Sequence, residues 1–214
     1  RDQLLFTYLH LAADPVQAKG LMDSGCVAIA YETVTSDRGG LPLLAPMSEV
    51  AGRMAAHVGA NFLQVSNGGR GVLIGGVPGG KAADVTILGG GVSGTHAAKM
   101  AIGMGGSVTI LEKSLDRIRQ LEDMFGLSVN IIYSTTDAVE HYVTNADLVI
   151  GAVLVPGALA PKLITREMLK KMRRHSVIVD IAIDQGGCAE TSKATTHNDP
   201  VFEVEGVLHY CVAN

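Results

Sequence analysis

Three glycines, Gly89, Gly91 and Gly94, stand in the spacing G-x-G-x-x-G inside the segment VTILGGGVSG. That spacing does its chemistry through the backbone. The first glycine permits a tight turn, the second leaves room for a pyrophosphate against the main chain, and the third lets a helix pack closely on a strand. Val92 and Ser93 lie between the second and third glycines. There the start of a helix offers unpaired amide groups to phosphate oxygens. Glu112 closes the next β-rich run, SVTILE. A carboxylate at that place accepts both ribose hydroxyls of an adenosine and repels a 2′-phosphate, which favours NAD over NADP. Lys113 beside it weakens the repulsion, and the plain alternative for Glu112 is a solvated strand end.

Side chains able to move protons are few. His10 sits between Leu9 and Leu11 in an apolar segment, where a buried core histidine is the competing reading. Asp184, in DIAIDQGG, stands beyond an apolar run, and its competing reading is a turn former or helix cap. His57, His96 and His175 read as packing or surface residues, and His141, His197 and His209 have no chemical partner that spacing reveals. Arg70 and Lys81 flank a glycine-rich stretch, where either contact with phosphate or plain solvation fits. Cys26, Cys188 and Cys211 match neither a metal spacing nor a disulfide framework and fit a reducing compartment. No spacing supports a metal ion.

The elements that must position these groups follow from periodicity. Residues 14–24 read as a short helix, with Asp14 as cap, Pro15 in the first turn and Gly25 as the stop. Residues 27–34 are β-rich. Residues 46–60 read as a helix with Met47, Val50, Met54 and Val58 along one face. A glycine-rich connection covers 67–81. Strands are then expected at 85–88, 107–111, 129–133, 147–151, 176–181 and 207–210. Helices are expected at 93–104, 114–125 (capped by Ser114), 135–145 and 165–173. This alternation predicts an α/β fold, a Rossmann-type doubly wound parallel sheet, with ligands beyond the carboxyl ends of the strands. Val153, in GAVLVPG, and Asp184 both follow such strands.

Composition supports a folded core. Of 214 residues, 47% are hydrophobic and 18% charged, which argues against disorder. The 26 glycines exceed the ~15 that an average usage of ~7% gives, and their clusters at 68–80, 89–94 and 103–106 suggest backbone crowding near a ligand. A net charge of −4 and the lack of a long basic run argue against nucleic acid. The one basic cluster, Lys170, Lys171, Arg173 and Arg174, reads as a solvated helix end. No long uncharged apolar stretch suggests a membrane span, and no signal peptide is visible.

The segments LLFTYLHLA (4–12), YETV (31–34), PLLAPMSEVAGRMA (42–55), GGRGVLIGGVPG (68–79), VTILGGGVSG (85–94) and VDIAIDQGGCAETSKATTHNDP (179–200) closely resemble the alanine dehydrogenase family. That superfamily also holds the NAD-binding alpha subunit of proton-translocating transhydrogenase, but an intact LHLA around His10 and the form of the motif around Asp184 resemble the dehydrogenase. The resemblance implies reversible oxidative deamination of L-alanine to pyruvate and ammonium with NAD, in a cytoplasmic homohexamer. It implies His10 and Asp184 as the catalytic pair. It places Glu112 and Arg117 near the adenosine ribose, Ser134 near the adenine, and Val153 and Asn214 by the nicotinamide.

It also implies a division into part of a substrate domain at 1–42 and an NAD-binding domain at 43–214, joined by the helix that opens the second. Family members carry an arginine and a lysine, in a segment before the position of residue 1, that grip the substrate. The expectation is therefore that these residues alone bind NAD but turn over alanine poorly. The alternatives are a transhydrogenase alpha subunit or a non-catalytic NAD-binding fragment.

Overall fold

From Asp84 onward, β-branched runs alternate with helices that carry their own caps. The computed structural model, which describes residues 3–12, 14–37, 39–155 and 158–213, turns each pair into a strand and a crossover helix. The strands are β1 (Leu4–Thr7), β2 (Val27–Ala30), β3 (Asp84–Leu88), β4 (Ser107–Glu112), β5 (Asn130–Tyr133), β6 (Leu148–Gly151), β7 (Val177–Asp180), β8 (Val201–Val204) and β9 (Val207–Tyr210). The helices are α1 (Pro15–Ser24), α2 (Ala45–Phe62), α3 (Val92–Gly103), α4 (Leu115–Phe125), α5 (Thr136–Thr144) and α6 (Arg166–Lys171). The caps act as the sequence suggests. The side chains of Asp14, Ser114, Thr135 and Thr165 accept from the backbone amides of Gln17, Arg117, Ala138 and Met168.

The main sheet has seven strands in the order β5-β4-β3-β6-β7-β9-β8. All neighbours are parallel except β8 and β9. Leaving out β8, this is the strand order of a dinucleotide-binding sheet, and it reverses direction between β3 and β6. Alternation along each strand feeds two cores. Val85 and Ile87 pack with Ala97, Ala98 and Ala101 of α3 and with Ala55 and Ala56 of α2. Leu88, Val149 and Ile178 face the other way, toward Val139 and Val143 of α5 and Met168 and Leu169 of α6. Among the described residues, no helix is long and apolar enough to cross a membrane.

The remaining strands, β1 and β2, form a separate parallel pair whose side chains Leu4, Phe6, Val27 and Ile29 are exposed.

Five expectations need correction. The apolar stripe of α2 meets the core only in part: Val58 packs against it, Val50 and Met54 are exposed, and the buried face is Gly52, Ala55, Ala56 and Gly59. Small residues are required there because a Cβ on Gly52 would run into the carbonyl of Ser93, and one on Gly59 would lie 2.5 Å from the Leu148 side chain. The glycines at 68–80 and 103–106 do not line the cleft, and the two clusters meet at Gly75 and Gly105. A Cβ on Gly105 would sit 3.1 Å from Gly75, beside the amino ends of the strands. At that same end Arg70 pairs with Asp147 at 3.2 Å and Lys81 with Asp84, so neither is placed to meet a phosphate at the carboxyl ends. Arg173 likewise bridges Asp84 (3.1 Å) and Asp147 (3.0 Å) instead of extending into solvent. Finally, β8 has no counterpart among the expected strands. It pairs with β9 through a tight turn in which Glu205 and Gly206 both have positive φ.

Candidate active site

The glycine loop joins β3 to α3 at the point where the sheet reverses. Gly89 has φ +95°, and a Cβ there would lie 2.9 Å from the carbonyl oxygen of Ala152, just beyond β6. Gly91 caps α3 without a side-chain bond, and the direction its Cβ would take is open, with nothing within 4 Å. A Cβ on Gly94 would strike the carbonyl oxygen of Gly89. The three glycines thus divide their work as turn, ligand space and helix–strand contact. The amides of the first turn of α3, at Val92 and Ser93, have no partner within the helix. These residues fit a dinucleotide pyrophosphate.

The loop is braced from below. Oε2 of Glu112 accepts the Gly90 amide at 2.8 Å, while Oε1 accepts the amides of Lys113 and Ser114 at 2.7 and 2.9 Å. Arg117 donates from Nε to the Gly90 carbonyl at 2.7 Å and from Nη2 to Thr95 Oγ1 at 2.8 Å. Glu112 is therefore more than a solvated strand end: it builds the loop and also lines the cleft above it. Arg117 is not among the lining residues, so its place is under the loop. Gly90, an x of the motif, is where these bonds converge, which motif spacing does not reveal.

The cleft encloses about 630 Å³, within the range of small-molecule sites. Its walls include Gly89, Gly91, Val92, Ser93, Glu112 and Ser134 on the glycine-loop side, then Ala152, Val153 and Asp184, and opposite them His10 and Glu32. The structure thus brings together nearly all residues singled out by sequence. Asn214 lies outside the described residues.

Asp184 sits in a 3₁₀ turn, Ile181–Gln185, that follows β7 directly where the strand was expected to reach Ile181. Asp180, 1% exposed, anchors this turn: its carboxylate accepts the amides of Ala182 (3.1 Å) and Cys188 (2.8 Å) and the Ser192 hydroxyl. The Gln185 carboxamide pairs with both backbone groups of Val155, at 3.2 and 3.1 Å, tying this wall to the one after β6. Burial and the neighbouring Asp180 charge push the Cys188 thiol well up and the Cys211 thiol up to about 12, which favours the protonated thiol in both.

His10 is half-buried and has φ +47°, a rare conformation for a residue with a side chain. Its amide donates to Glu32 Oε1 at 2.9 Å, and the Tyr8 ring stacks on its imidazole at 5.2 Å and 11°. The Tyr8 phenol is raised by burial first and then by Tyr31 and Glu32 beside it, so it remains a donor, here to the Leu43 carbonyl. Residue types and spacing single out none of Glu32, Asp180 and Gln185. Each bonds backbone groups eight or more residues away, which spacing does not reveal.

Comparison with known proteins adds a family to this geometry. Residues 55–214 match the model "Alanine dehydrogenase/PNT, C-terminal domain", and residues 1–51 match "Alanine dehydrogenase/PNT, N-terminal domain". The alanine dehydrogenase of Halomonas elongata is 59% identical over 212 residues, 99% of this chain and 57% of that protein. The alanine dehydrogenase of Bacillus subtilis is 57% identical over 212 residues, 99% of this chain and 56% of that protein. The chain thus spans somewhat more than half the length of the curated relatives it matches. A solved L-alanine dehydrogenase superposes with TM-score 0.90 at 54% identity, covering 100% of this chain and 59% of the other. A transhydrogenase from Sinorhizobium meliloti superposes with TM-score 0.77 at 23% identity, over 98% of this chain and 60% of that one, a likeness of fold.

Proposed function

The chain belongs to the alanine dehydrogenase/PNT family, and on that premise we propose that the protein of which it is a part oxidatively deaminates L-alanine to pyruvate and ammonium with NAD. The observation that carries this reading is that His10 and Asp184, from opposite walls, open into the same cleft as the glycine loop and Glu112. Bound NAD supplies the hydride acceptor. The chain's own residues do the rest. Gly91, Val92 and Ser93 receive the pyrophosphate. Glu112 accepts from the adenosine ribose, with Arg117 holding the loop in place. Ser134 borders the adenine, and Val153 and Asn214 the nicotinamide.

As hydride leaves the alanine Cα, its amine becomes an iminium, and Asp184 stabilises that positive charge. Water adds to the iminium carbon, and its spare proton passes to the amino nitrogen to make it a leaving group. His10 hydrogen-bonds the oxygen that becomes the pyruvate carbonyl and takes its proton as ammonia departs. In the reverse direction the same histidine returns the proton.

We assign residues 1–42 to part of the substrate domain and 43–214 to the NAD-binding domain, in a cytoplasmic, homohexameric enzyme. The test is His10→Ala in the full-length protein. Alanine-dependent NADH formation should fall about 10²-fold or more, the usual weight of a general acid–base group, while NADH binding followed by fluorescence stays within twofold. Unchanged turnover would remove His10 from the chemistry, and a parent protein that forms no NADH from alanine would leave a dinucleotide-binding unit of another kind.

A further inference from the structure

β1 and β2 run parallel in a register that sets Thr7 opposite Ala30, so the residues leaving each strand end lie side by side. One exit is the Tyr8–His10 segment. The other is the short 3₁₀ turn Tyr31–Thr33, which carries Glu32. The Glu32 carboxylate is 9% exposed and lies against the cleft, where a charged acid needs partners. It takes them from the opposite exit: Oε1 accepts the amides of Leu9 (3.2 Å) and His10 (2.9 Å), and Oε2 also reaches Leu9 at 3.3 Å. Those bonds hold two successive amides toward one point while His10 adopts its left-handed φ of +47°.

We propose that Glu32 is the positioning residue for His10: its buried carboxylate fixes the strained backbone turn that aims the imidazole into the cleft. Tyr8 completes the arrangement by stacking on the ring face. The inference rests on the alanine reading of the cleft only for the meaning of the rate. The turn itself is a matter of geometry. Because Oε1 alone reaches both amides, a neutral amide oxygen in its place suffices, and the negative charge is not what His10 requires.

The experiment compares Glu32→Ala and Glu32→Gln in the full-length protein. Alanine turnover, KM for NAD, the pH profile of kcat and amide exchange at residues 9 and 10 are measured. Glu32→Ala should lower kcat about 10²-fold, as misplacement of a reacting group does, with KM for NAD within twofold and the pH midpoint unmoved. Glu32→Gln should recover most of the rate. The amides of Leu9 and His10 should lose protection in the alanine variant and keep it in the glutamine variant. Turnover of Glu32→Ala within twofold of the parent would overturn the proposal. So would a glutamine variant as poor as the alanine one, or the loss of a limb from the pH profile, since either makes Glu32 an electrostatic or proton-handling group. If the parent itself does not oxidise alanine, the functional reading fails separately, and amide exchange alone decides: unchanged protection in Glu32→Ala refutes the role of Glu32. Should Glu32→Ala not fold, Glu32→Gln decides by turnover, pH profile and exchange.

Discussion

Both walls of the cleft use the same device, a carboxylate that accepts a backbone amide of the segment lining the cleft. Glu112 does this for Gly90, and Glu32 does it for His10. What lies behind the device differs. Gly90 is also held by Arg117 and Thr95, and the strand that carries Glu112 is paired on both sides within a seven-stranded sheet. Glu32 and His10 stand at the exits of a two-stranded pair whose Leu4, Phe6, Val27 and Ile29 are exposed. The nucleotide wall is therefore redundant, and the histidine wall depends on one carboxylate for the amides of Leu9 and His10. Redundancy suits a wall that must meet a pyrophosphate in one fixed geometry. Dependence on one carboxylate makes the histidine wall the easier one to disable without unfolding the protein.

The largest effect is expected inside the redundant half. Asp180→Ala leaves the amides of Ala182 and Cys188 and the hydroxyl of Ser192 without their acceptor in a buried place. At about 1–3 kcal/mol for each unsatisfied donor, the variant should lose about 3 kcal/mol or more, read from the urea midpoint. Alanine turnover should fall with it as the Asp184 turn loosens. A midpoint like the parent's would mean that water replaces the carboxylate and that the turn is held by Gln185 and the backbone. Gly94→Ala comes next. Its Cβ must displace the Gly89 carbonyl, at about 1–3 kcal/mol of overpacking, and with it the glycine loop. NADH affinity should weaken about tenfold or more in a fluorescence titration. NADH affinity should not move in Glu32→Ala, where the damage is confined to the amides of Leu9 and His10.

Sequence revealed most where neighbours in the chain are neighbours in space. The turn at Gly89, the helix beginning at Val92 and the carboxylate at Glu112 belong to one strand–helix–strand unit, and the caps Asp14, Ser114 and Thr135 reach amides three residues on. It revealed less where contact is made across the fold. Glu32 reaches back to Leu9 and His10, Asp180 forward to Cys188 and Ser192, and the glycines near 75 and 105 find each other only after β3 has been laid down. The stripe of Met47, Val50, Met54 and Val58 misled at Val50 and Met54 because helix α2 is packed so closely on α3 and β6 that small side chains fill its buried face. The hairpin β8–β9 was within reach: VFEV and VLHY flank Glu205-Gly206, and an acid–glycine pair between apolar runs is a turn signal.

The smallest effect concerns a group on the redundant side. His209 is fully buried, stacked on Phe202 and bonded through Nε2 to Thr191, next to the turn that Asp180 anchors. Burial lowers its pKa from 6.5, outweighing the Val207 carbonyl and the Asp180 charge, which raise it. The unfolded chain therefore takes up this proton near pH 6.5, and the folded protein only at lower pH. In that interval the unfolded state binds more protons, so stability rises with pH. The stabilisation from a neutral His209 is fully present above pH 6.5 and is lost as pH falls from there toward the folded value. His209→Gln should lower the urea midpoint at pH 8, because the ring stack is gone. It should also flatten the decline below pH 6.5. An equally steep decline would assign the acid sensitivity to other groups. Amide exchange at His10 should not follow this titration, since the histidine wall hangs from Glu32 and not from the sheet in which His209 is buried.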